Sequence, residues 1–173
     1  MSGRPCVALT GTDVSSQMLK VAESRGLYTD LVRADLNAEA SSDTETREEA
    51  GETKGDRGGP TDAEEAAAAL GLPSSWSERF SCLLCIGTTT YLDPHKATAE
   101  WLRLLKPGGL AVFTHKTAVW KKWEPVQGSL VAQGAWAEVS VSDELPYLPG
   151  FDDNARDNER AKVYVYMKEG CVQ

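Results

Sequence analysis

Apolar positions in this chain come in short blocks, and the blocks alternate between strand-like and helix-like spacing. Val7 to Leu9 is a brief apolar run that stops at Thr10-Gly11-Thr12-Asp13, which predicts a strand followed by a turn. Ser15 or Ser16 then caps a predicted helix reaching about Arg25, with Met18, Leu19 and Ala22 on one face and Gly26 as its stop. Leu31-Val32 opens a second short strand, which ends at Asp35. Phe80 to Ile86 is almost entirely apolar, the pattern of a parallel strand covered on both faces. Asp93-Pro94 supplies a cap and a first helical turn, and Ala97, Trp101, Leu104 and Leu105 form the apolar face behind it. Lys106-Pro107-Gly108-Gly109 closes that helix and turns the chain into a strand from Leu110 to Thr114. The helical spacing from Val119 to Gly134 is weaker, with breaks expected near Pro125 and Gly128. Trp136 to Val141 and Lys162 to Met167 alternate, and are expected to pair as antiparallel strands at a sheet edge. Strands separated by helices predict an α/β fold with a doubly wound, Rossmann-like sheet whose last two strands are antiparallel.

One stretch breaks the pattern. From Asn37 to Leu72 there are 10 acidic and 3 basic residues, a balance of -7, against a net charge of -8 for all 173 residues. Ser41 to Asp62 holds no apolar residue other than Ala50 and cannot offset its own ordering entropy by burial. The expected organisation is therefore a single domain over 1–173 with a disordered acidic insertion at 37–75, whose far end, Asp62 to Gly71, has short-helix character. A chain this acidic is a poor ligand for nucleic acid or an anionic membrane surface. No apolar run approaches the roughly 20 residues that cross a bilayer. Met1 to Pro5 lacks a signal or transit pattern, and four cysteines do not make a disulfide framework in a chain of this size. The expectation is a cytoplasmic protein with reduced thiols.

Ligands of such sheets bind at the C-terminal ends of the parallel strands. Asp13, Asp35, the Gly87 to Thr90 segment and His115 fall there. A carboxylate at a strand end accepts hydrogen bonds from ribose hydroxyls, and Gly11 would let a ligand approach the backbone; an Asp there is equally an ordinary helix N-terminal residue. Met18, one turn on, has a polarizable thioether suited to a flat ring, or to a core. Cys82 and Cys85 have zinc-ligand spacing but lie in a strand, where residues three apart face opposite ways, so they are expected to be small buried hydrophobes. His95 and His115 have no ligand companions, and no metal site is expected.

The block Gly11-Thr12-Asp13-Val14-Ser15-Ser16-Gln17-Met18-Leu19, with Ala22 behind it, resembles the second-strand block of class I S-adenosylmethionine-dependent methyltransferases. Ala34-Asp35-Leu36 resembles their third-strand block, and Leu104-Leu105-Lys106-Pro107-Gly108-Gly109-Leu110 the turn into their fifth strand. Arg25-Gly26-Leu27-Tyr28, Val112-Phe113-Thr114, Glu144 to Leu148 and Val163 to Tyr166 bring the chain nearest to the Williams–Beuren syndrome region methyltransferase-like proteins. The resemblance implies S-adenosylmethionine as cofactor and methyl transfer to an unidentified acceptor. It implies that Asp13 binds the ribose hydroxyls, that Met18 packs on the adenine, and that Asp35 accepts from the adenine amino group with Leu36 beside it. Cys85, Ile86 and Gly87 would border the methionine portion; Thr88 to Tyr91, His115 and Tyr147 would face the acceptor, with His115 the one imidazole candidate for a base. The family's first strand and its Gly-rich loop have no counterpart before Asp13, so a truncated chain with weak or absent cofactor binding is expected. The alternative is a non-catalytic methyltransferase-like module that binds or regulates.

Overall fold

The computed structural model describes residues 8–38, 71–147 and 159–170. These fall in two compact units, divided between Ser74 and Ser75. Most of the acidic insertion, and the helix expected within it, lies outside the described residues.

The first unit is a strand–helix–strand element. β1 (Thr10–Asp13) pairs in parallel with β2 (Asp30–Arg33), from Thr10 opposite Asp30 to Asp13 opposite Arg33. The strand thus sits on the residues expected to form the turn after Leu9. Its position follows the backbone ladder offered by β2 rather than the apolar run, because pairing satisfies main-chain groups whatever the side chains are. Between the strands lies α1 (Ser16–Ser24), capped by Ser15, whose hydroxyl accepts from the Met18 amide at 3.3 Å. None of its residues is buried.

The second unit holds a five-stranded sheet. Its path is β3 (Phe80–Cys85), β4 (Leu105–Lys116), β7 (Arg160–Lys168), β5 (Trp136–Val141), with the short β6 (Leu145–Pro146) also paired to β7. β3 and β4 are parallel, and β7 is antiparallel to both β4 and β5. The antiparallel pairing expected of the last two long strands is thus present, with β7 seated inside the sheet rather than at its edge. Along β4 every second residue is buried, and Ala111, Phe113 and His115 face the helices.

Two helices cover that face. α2 (Pro94–Leu104) is capped by Asp93, whose Oδ1 accepts from the His95 and Lys96 amides at 2.9 and 3.0 Å. It buries Ala97, Thr98, Trp101 and Leu104. α3 (Thr117–Ala132) runs unbroken through Pro125 and Gly128, where breaks were expected. A helix-interior proline costs about 3 kcal/mol. Burial of Trp123 outweighs it, since removing such a side chain costs roughly 3–5 kcal/mol. The core is aromatic: Trp101 stacks on Trp123 with centroids 5.5 Å apart, and Phe113 lies 5.0 Å from Trp101 and 5.7 Å from Tyr166.

β3 departs from its sequence pattern. Leu84 is 65% and Ile86 60% exposed, and Cys82 is exposed where a small buried hydrophobe was expected. The physical reason is alternation: Cys82, Leu84 and Ile86 share one face, which is open to solvent on a strand that ends the sheet path among the described residues, while Cys85 on the other face is buried. Lys106 to Gly109 does not form a separate turn. It is accommodated inside β4, where the register with β3 jumps between Phe80–Leu105 and Cys82–Leu110.

Candidate functional site

In the first unit two carboxylates stand at the ends of the paired parallel strands. Asp13 is the last residue of β1, and its Oδ1 accepts from the Ser15 amide at 2.9 Å. Asp35 follows β2 by two residues, and its Oδ1 accepts from the Asn37 amide at 2.8 Å. Each therefore anchors its own loop with one oxygen, which fixes the direction of the carboxylate. Both are half-buried, as is Leu36. Met18 lies on α1 and is 55% exposed, which makes it available to a ligand and rules it out as core. Gly11 also has a packing role. A Cβ there would meet Leu31 at 2.8 Å and the Tyr28 ring at 2.9 Å, so packing within the unit requires the glycine.

In the second unit the end of β3 meets the end of β4. Gly87 takes a φ of 78°, a left-handed conformation that favours glycine. Its amide donates to Thr114 Oγ1 at 2.9 Å, and the Thr89 hydroxyl donates to the Thr114 carbonyl at 2.7 Å. Thr114 thus clamps the loop from both sides of its own peptide. The Tyr147 hydroxyl donates to the Gly87 carbonyl at 3.1 Å, and the Tyr147 ring carries the Lys116 ammonium 4.4 Å from its centroid. Lys116 is in turn paired with Glu159 at 2.7 Å. Beside this arrangement is a cleft of about 340 Å³, bounded by Ile86, Gly87, Thr114, Tyr147 and the first residues of β7.

Lys162 is the charged residue among the described residues that line the cleft. Burial pushes the Cys85 thiol up to about 11, so at neutral pH it is no nucleophile. His115 does not line the cleft. It lies on the helix-covered face of β4, only 1% exposed, and burial drives its pKa down to about 3. Alternation along the strand decides this, since Thr114 and His115 must point to opposite faces. Thr89 is buried and structural, and Tyr91 is 79% exposed beyond the cleft wall. Thr114 and Lys116 are the site residues that sequence reasoning missed; the strand alternation that buries Phe113 and His115 was the available signal.

No family model matches the sequence, and no curated protein matches it. Solved structures share its fold. The N-methyltransferase NodS from Bradyrhizobium japonicum aligns with 94% of this chain and 74% of its own, at 15% identity and a TM-score of 0.54. An S-adenosylmethionine-dependent methyltransferase from Mesorhizobium loti aligns over 93% and 80% of the two chains, at 14% identity and a TM-score of 0.54. A third, from Thermotoga maritima and described as a possible histamine N-methyltransferase, aligns over 94% and 73%, at 15% identity and a TM-score of 0.52. The chain has an α/β fold with a mixed sheet, similar to that of class I methyltransferases.

Proposed function

We propose that this chain is a class I methyltransferase-type domain that binds S-adenosylmethionine and presents it to an unidentified methyl acceptor. The observation that carries the reading is the pair of carboxylates, Asp13 and Asp35, at the C-terminal ends of paired parallel strands in a fold similar to solved methyltransferases. The donor set fits the cofactor: each aspartate keeps one oxygen clear of its own loop, suited to hydroxyl and amino donors. In this reading Asp13 accepts from the ribose hydroxyls and Asp35 from the adenine amino group. Met18 and Leu36 pack on the adenine ring; Cys85 and Gly87 are assigned to the methionine portion by the sequence resemblance alone. Bound S-adenosylmethionine supplies a methyl group on a sulfonium, which is already a good leaving group. The chain's own task is to orient the acceptor in the cleft beside Gly87 and Tyr147 and to keep water away. His115 is not proposed as a base, and none is required. The sequence likeness to the Williams–Beuren region proteins supports the same class.

A second reading, a non-catalytic binding module, is favoured by the absence of a carboxylate or imidazole among the described residues that line the cleft. Titration of the labelled full chain with S-adenosylhomocysteine, followed by NMR, tests the binding reading. Saturable shifts at Asp13, Met18, Asp35 and Gly87 are expected, with a dissociation constant in the high micromolar range or weaker (~-5 kcal/mol), because no Gly-rich loop counterpart precedes Asp13 in this sequence. Shifts with NAD instead, or none, overturn it. Transfer of a labelled methyl group then separates the enzyme from the module.

A further inference from the structure

His115 is the most constrained polar group in the second unit. Its ring is enclosed by four aromatic rings: Trp123 at 4.5 Å, Phe113 at 5.1 Å, Trp120 at 5.4 Å and Tyr164 at 5.5 Å between centroids. Neither ring nitrogen has a hydrogen-bond partner. A buried imidazole without partners is held only while neutral, because a charged one demands water or an acceptor. The residue before it, Thr114, is the clamp that fixes both Gly87 and Thr89.

We propose that His115 is a pH-sensitive latch for the Gly87 loop. While neutral it sits in the aromatic box and holds the end of β4 where Thr114 can clamp the loop; in acid the ring leaves the box and the clamp opens. The groups around it favour this sense. From β7 come Lys162, its register partner, and Tyr164. From α3 come Trp120 and Trp123, which do not ionise. On β4 itself Lys116 is engaged with Glu159. Glu124, Glu138 and Glu144 bear on Tyr164, and burial is the one cause acting on His115. The inference does not depend on what the cleft binds.

The test is amide hydrogen exchange of the full chain between pH 7.5 and 4.5, corrected for the intrinsic pH dependence of exchange. The Gly87 amide should lose roughly 100-fold of its protection, the linkage expected for one proton taken up by an imidazole whose ordinary value is 6.5. The Tyr166 amide, in the sheet centre, should lose far less. His115→Phe should keep the box filled and make Gly87 protection independent of pH. If that variant does not fold, the two histidines of the wild type decide the matter by NMR. The His115 ring should stay neutral down to pH 4.5 while Gly87 loses protection from about pH 6.5 downward, because the proton is taken up by the open form. Equal loss at Gly87 and Tyr166, or titration of His115 near 6.5 with Gly87 unchanged, overturns the latch.

Discussion

The two units solve the same problem, a strand end that presents polar groups, with very different amounts of core. In the first, two four-residue strands and a helix with no buried residue hold Asp13 and Asp35 by local turns. In the second, a five-stranded sheet under two helices buries Trp101, Phe113, Trp123 and Trp136 and clamps Gly87 through Thr114. The difference teaches that the candidate ribose and adenine carboxylates and the aromatic core reside in separate stretches of sequence. Carboxylates held by their neighbours need little packing, whereas a glycine loop held by a distant strand needs a rigid sheet.

The largest expected effect comes from removing the centre of the second unit. Phe113→Ala leaves a cavity among Trp101, Trp123, Tyr164 and Tyr166, and should cost about 3–5 kcal/mol in denaturant unfolding. Next comes acid. His115 is held below its ordinary 6.5 in the folded chain, at about 3, so its contribution is fully present above 6.5 and is lost progressively as pH falls from there toward 3. The slope should approach about 1.4 kcal/mol per pH unit in that window and vanish in His115→Phe. A smaller effect is expected in the first unit: Ser15→Ala removes the cap on Met18 and should cost about 1 kcal/mol, read as faster exchange of the Met18 amide. The smallest belongs to the edge strand. Leu84→Ser should change stability by less than about 0.5 kcal/mol despite replacing a leucine in an apolar run, because the side chain is already in water.

Much of this was legible in the sequence. Asp93 was legible as a helix start, and Ser15 as one of two candidates with Ser16, because capping is a local exchange between one side chain and nearby amides. The pairing of β5 with β7 followed from alternation, and the α/β class from the order of elements. What escaped is long-range. The sequence cannot say that one face of β3 is open to solvent, so an apolar run was taken for a fully covered strand. It cannot say that Trp123 compensates Pro125 within α3. His115 was placed at a strand end correctly but on the wrong face, a matter of one residue's alternation relative to Thr114. Nor can the sequence say that Leu31 and Tyr28 fill the space a side chain at Gly11 would need.

The separation of the candidate ribose carboxylate from the aromatic core is tested most directly by Asp13→Ala, measured for S-adenosylhomocysteine affinity and for unfolding of the second unit in one preparation. Loss of a hydrogen bond to a charged group is worth about 1.5–3 kcal/mol, so affinity should fall at least tenfold while the unfolding midpoint of the aromatic core stays where it is. Unchanged affinity, or a fall in affinity that appears only because the second unit has also lost stability, would contradict the account.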